Sequence, residues 1–140
     1  MRMHEAAAIT ERSRIMNSIS TAVITTLSMV TQTHVWHWQT GAFSEHETLG
    51  NYYEFLRKAV DEFAEVFMGG GGNIRSMRHS SLENYSPEAV RNSINDFKTE
   101  LNFLQRQIMD SDEPDFDSVA DTILDIVKES DRVLYRLGLS

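Results

Sequence analysis

Three of the five histidines stand close together, at His34, His37 and His46. Fifteen residues after the last come Asp61 and Glu65, one helical turn apart, with Glu62 between them. Imidazole nitrogen and carboxylate oxygen together suit a divalent iron, manganese or zinc ion. The chain has no cysteine, which excludes disulfides, thiolate zinc sites, iron–sulfur clusters and cysteine nucleophiles, so a metal must sit on these residue types. Taken singly, a histidine near a helix end is an ordinary cap or a satisfied core residue. It is the group that points to a metal, with His34 also continuing an apolar stripe and with His4 and His79 read as solvated.

The elements that must position these residues are helical. In 140 residues there are only two prolines and seven glycines, four of them in one run, and the composition is that of one globular domain over 1–140. Ile15, Ile19, Ala22/Val23, Leu27, Val30, His34 and His37 repeat at 3.6 residues and predict a first helix over 10–39, ended by Gly41. Leu49, Tyr52/Tyr53, Leu56, Val60, Phe63 and Phe67 predict a second, with Ser44 as N-cap and the Gly69–Gly72 run as its stop. Ser86 followed by Pro87 opens a third through Val90, Ile94, Phe97, Leu101, Leu104 and Ile108. A fourth begins near Pro114 and runs through Phe116, Ala120, Ile123, Val127, Leu134 and Leu137.

Loop lengths set the topology. Short connections make the first and second helices one antiparallel hairpin and the third and fourth another. The middle connection, residues 69–86, is long enough to travel back along the second helix. The expected fold is therefore all-α: a ferritin-like four-helix bundle of two antiparallel hairpins joined by a long crossover. At 100° per residue, His46 lies about 70° from the apolar centre of the second helix and Asp61 about 130° on the same side. Carboxylates so placed cannot enter their own core. If they and the histidines form one site, it lies on the bundle flank, between subunits.

Charge narrows the partners. Thirteen Lys and Arg against twenty-one Asp and Glu give a net charge of −8, which favours cations and disfavours nucleic acid. Arg75 and Arg78 in the crossover are too few to change that. Ile15–Ser44 carries no charged residue, yet fifteen of its thirty residues are Ser, Thr, Asn, Gln or His. Such a helix is covered by protein rather than lipid, so no membrane partner is expected. The first residues show no apolar run of the kind a signal peptide has, and a cytoplasmic location is expected.

The segment His34-Val-Trp-His37-Trp38-Gln-Thr-Gly41-Ala-Phe43-Ser-Glu-His46, followed by Asp61-Glu-Phe-Ala64-Glu65, resembles the ferroxidase motif of the Dps proteins, the mini-ferritins. That motif reads His-Trp, then Gly and Phe, then His, then Asp-x-x-Ala-Glu. The match covers about a third of the chain. It implies a homo-oligomeric shell of twelve four-helix subunits that oxidises Fe²⁺, with peroxide as oxidant, and stores the ferric product. His37 and His46 of one subunit, with Asp61 and Glu65 of its two-fold neighbour, would be the iron ligands, Trp38 the site-adjacent aromatic, and other divalent metals alternative occupants. Asp112, Asp117 and Asp121 would line an acidic three-fold pore, where the plain reading of the nine acids between Asp110 and Asp131 is a solvated helix face. Trp36 and Trp38 read as core or interface residues rather than redox groups.

The chain departs from the pattern in three places. The His37–His46 interval is three residues shorter than the family's, which leaves His34 as an alternative first ligand. Gly50 stands where an acidic residue is often found, and residues 1–14 contain no lysine for a DNA-binding tail. The Glu-x-x-His motif of larger di-iron bundles is also absent. The short form is similar to Dps-like proteins that phage genomes also encode, and the rival expectation is a non-catalytic structural or virion-associated oligomer without productive iron chemistry.

Overall fold

A computed structural model describes residues 3–75 and 81–138, with side chains from residue 11 onward. His79, Arg78 and the side chain of His4 lie outside the described residues. The chain forms α1 (Met3–Gln39), α2 (Phe43–Gly69), α3 (Pro87–Asp110) and α4 (Asp117–Gly138), with a single 3₁₀ turn, Pro114–Phe116, ahead of α4. Among the described residues there is no strand, and no helix is long and apolar enough to cross a membrane.

The fold is an all-α bundle of two hairpins. Helix α1 packs on α2 and α3 on α4, and the hairpins meet through α2 on α4 and, more thinly, α1 on α3. The core carries the expected repeats of α2 and α3 almost unchanged: Leu49, Tyr52, Leu56, Val60, Phe63 and Phe67 from one, Val90, Ile94, Phe97, Leu101, Leu104 and Ile108 from the other. Ser86 caps α3 by accepting the Ala89 N–H at 3.0 Å, ahead of Pro87. Helix α2 ends in a Schellman arrangement, with Gly72 N–H on Phe67 O and Gly71 N–H on Met68 O. Gly71 takes the positive φ of 96° that this turn demands.

Several boundaries differ from the periodic reading. Helix α1 begins at Met3 because Glu5–Ala8 is a strong helix-forming run with no apolar stripe to reveal it. Helix α2 begins one residue before Ser44, with Ala42 in the cap position; Thr40 Oγ1 accepts the Ala42 N–H instead. On α1 the expected stripe is buried at Ile15, Ile19, Val23 and Val30 but slips by one residue at Leu27 and beyond Val30. Thr26, Thr33 and Trp36 are buried, whereas Leu27 is half exposed and His34 is intermediate. In α4, Val133 is fully buried and Leu134 only partly.

The crossover explains part of the uncharged character of α1. Arg75 N–H reaches Ser20 Oγ at 2.9 Å. Further on, Gln32 grips Glu83 from both sides, donating to its carbonyl (3.0 Å) and accepting its N–H (2.6 Å), while Trp36 Nε1 donates to the same carbonyl at 3.1 Å. Gln39 accepts the Tyr85 N–H at 2.7 Å. From Ser20 to Gln39 is about 28 Å of helix at 1.5 Å per residue, so the described parts of the crossover, at Arg75 and at Glu83–Tyr85, meet α1 at points that far apart. Ser20, Gln32 and Gln39 on α1, the first two of them buried, thus satisfy backbone groups of Arg75, Glu83 and Tyr85, which lie outside any helix or strand. At one end of the bundle Arg12 ties α1 to the α3–α4 connection, 2.7 Å from Glu113 and 3.3 Å from Asp115, with its guanidinium 4.9 Å from the Phe116 ring centre.

Candidate metal centre

The tight α1–α2 turn brings His37, in the last turn of α1, against His46, in the first turn of α2. Their rings stack with centres 3.8 Å apart and planes 19° from parallel. His37 Nδ1 lies 2.6 Å from the His46 carbonyl oxygen, and His46 Nδ1 lies 2.7 Å from that of His37. A carbonyl only accepts, so both Nδ1 atoms carry the proton and each neutral ring keeps its lone pair on Nε2. This is how metal-ligating imidazoles are commonly held, one nitrogen anchored by a carbonyl and the other free. A lone pair lies in its ring plane, so two near-parallel rings cannot both aim at one ion at a bonding distance of about 2.0–2.1 Å. The pair suits one ion per imidazole.

His34 sits beside this pair and does not join it. Its ring stacks on Tyr53, 3.9 Å between centres and 14° from parallel, and contacts Trp38 at 4.1 Å; the His37 ring is 6.4 Å away. Trp36 is fully buried, as a core residue should be, and Trp38 is 66% exposed beside His34. Leu27, Thr31, His34 and Trp38 fall on one stripe of α1, spaced so that they share a face.

Asp61 and Glu65 are exposed on α2. Fifteen residues of helix separate His46 from Asp61, about 22 Å at 1.5 Å per residue. One chain therefore does not bring the histidines and these carboxylates to a common point. Among the described residues, no group of three His, Asp or Glu side chains is arranged to hold a metal ion. Asp112, Asp117 and Asp121 are exposed around the start of α4 and take part in no ion pair among the described residues, whereas Glu113 and Asp115 share Arg12 as an ion-pair partner.

Glu45, next to His46, went unnoticed in the sequence. It is buried, accepts from the Tyr85 hydroxyl and lies 3.1 Å from Thr40 Oγ1. Burial and the bond to this carboxylate push the Tyr85 phenol above its ordinary value. The only advance signal was a carboxylate at the start of a helix, which is common for electrostatic reasons alone. Gly50 was visible only as a departure from a pattern.

A family model for a family of unknown function, DUF5856, matches residues 37–137. The chain belongs to this family. The DUF5856 span begins at His37 and takes in His46, Asp61, Glu65 and the acids at the start of α4, while most of α1 precedes it. No curated protein and no solved structure matches the chain.

Proposed function

We propose that this chain is a Dps-like mini-ferritin subunit that binds Fe²⁺ at sites shared between two copies, oxidises it with peroxide and stores the ferric product inside a shell of twelve. The carrying observation is the division of donors along one flank. Two anchored imidazoles with free Nε2 atoms stand where α1 ends and α2 begins, and two exposed carboxylates, Asp61 and Glu65, stand about 22 and about 28 Å further along α2. A second copy laid antiparallel across this flank brings its carboxylates to the first copy's histidines and the reverse, making two sites per contact. The Leu27–Thr31–His34–Trp38 stripe supports such a contact, since it is free of Asp, Glu, Lys and Arg and exposes Leu27 and Trp38, with His34 half-buried between them.

The chemistry follows from the donors. Imidazole nitrogens fix the ion's position without adding charge, and the carboxylates stabilise the higher charge that builds as Fe²⁺ becomes Fe³⁺. One ion per imidazole supplies two Fe²⁺, and the two electrons they release match the two that one peroxide takes up. The exposed Asp112, Asp117 and Asp121 fit a route that draws cations inward by charge. The net charge of −8 suits a cytoplasmic shell that does not hold duplex DNA. Mixing purified protein with Fe²⁺ and peroxide tests the reading. Ferric absorbance should appear, and His37→Ala with His46→Ala should abolish it; no catalysed oxidation by the native protein would favour a structural oligomer instead.

A further inference from the structure

Gly50 lies one turn after His46 on α2, and the His37 ring occupies the space beside it. A Cβ added at residue 50 would stand 2.8 Å from His37 Cε1 and 3.0 Å from Nδ1. Glycine in a helix interior is less favourable than alanine, and among the described residues the only glycine with positive φ is Gly71. The backbone therefore does not call for glycine at 50, while the neighbouring ring does. For the ring to swing aside it must give up its 2.6 Å bond to the His46 carbonyl and its stack on His46.

We infer that Gly50 is a positioning residue for the His37 imidazole, and that the short His37–His46 interval and the missing side chain at 50 act as one device. The three-residue turn sets His37 against α2, and a residue without Cβ at 50 leaves room for the ring to bond the His46 carbonyl and stack. A carboxylate at 50 would overlap the ring, so this site trades an acidic side chain for a fixed imidazole. As a statement about metal binding this rests on the proposed iron site; as a statement about the ring it stands on the contacts alone.

The test uses Gly50→Ala, His37→Ala and the double variant, each read without metal and then with Co²⁺. In the native background Gly50→Ala should lower the thermal midpoint, and in the His37→Ala background the same change should raise it, because alanine favours the helix once the ring is gone. Ring nitrogen NMR should report the Nδ1–H form for His37 in the native protein and lose it in Gly50→Ala. Co²⁺ affinity should fall about tenfold or more in Gly50→Ala, as when a ligand's anchoring contact is removed. If Gly50→Ala alone fails to fold and the double variant folds, the reversal is established in its strongest form. Equal midpoint shifts in both backgrounds with unchanged ring resonances would overturn the inference, as would a double variant that does not fold. Should the native protein neither bind Co²⁺ nor oxidise Fe²⁺, the iron reading fails while the ring and midpoint measurements still decide the role of Gly50.

Discussion

His37 and His46 each donate a ring proton to the other's backbone carbonyl, at 2.6 and 2.7 Å. The bond from His46 also serves α1, since the His37 carbonyl lies among the last four of that helix, which lack intrahelical partners. One reciprocal pair thus closes a helix end, fixes two tautomers and leaves two Nε2 atoms uncommitted. The pair is built by local contacts across a three-residue turn.

Glu45, beside this turn, relies on Tyr85 of the crossover. Tyr85→Phe leaves a buried carboxylate with Thr40 as its remaining partner, and should cost about 1–3 kcal/mol of stability. Adding Glu45→Gln should recover part of that loss, because the neutral amide no longer buries a charge. Urea unfolding at neutral pH compares the three proteins.

Tyr52 sets an alkaline limit. Ser130 Oγ donates to the Ile126 carbonyl at 2.8 Å, so Tyr52 must donate its own proton to Ser130 Oγ, 2.6 Å away. Burial, opposed only in part by that bond, pushes the phenol well above its usual value of 10.0. A group held protonated in this way contributes stability that is complete below the unfolded value and is lost as pH rises towards the folded one. Unfolding midpoints measured from pH 8 to 11 should therefore decline less steeply above about pH 10 in Tyr52→Phe than in the native protein.

The crossover depends on Gln32. Gln32→Ala removes both bonds to Glu83 and should lower stability by about 1–3 kcal/mol, with amide exchange rising around 83–85 more than in α3 or α4. Uniform exchange across the bundle would show that the crossover is held elsewhere.

Asp117→Asn with Asp121→Asn should slow iron uptake without abolishing it, since steering alters arrival and leaves the proposed ligands intact. The effect should shrink as salt is raised, because exposed charges are screened beyond about 10 Å at 0.1 M. Stopped-flow uptake at low and high ionic strength reads both.

The bundle was legible because its signals are local and repeated. The a/d run from Val90 to Ile108, the Ser86-Pro87 cap and the glycine run after Phe67 each act within a turn or two. The eighteen residues between the hairpins announced a crossover by length alone. What stayed hidden depends on contacts between distant residues. Gln32 and Gln39 look like surface polar residues until Glu83 and Tyr85 arrive, and Thr26 and Thr33 are buried in place of Leu27 and His34 only when α1 meets its neighbours. At the site, spacing brought out His37, His46, Asp61 and Glu65, but the burial of Glu45 against Tyr85 and the space that Gly50 yields to His37 appear only in three dimensions.

The shared site can be tested directly by mixing two defective proteins. One carries His37→Ala and His46→Ala, the other Asp61→Asn and Glu65→Gln, and each alone should oxidise little Fe²⁺. After unfolding, mixing and reassembly, a contact between unlike subunits holds one site with all four native ligands and one with none. Ferroxidase activity should then return, up to half of native for each mixed contact. Verified mixed oligomers that remain inactive would contradict a site built from two subunits.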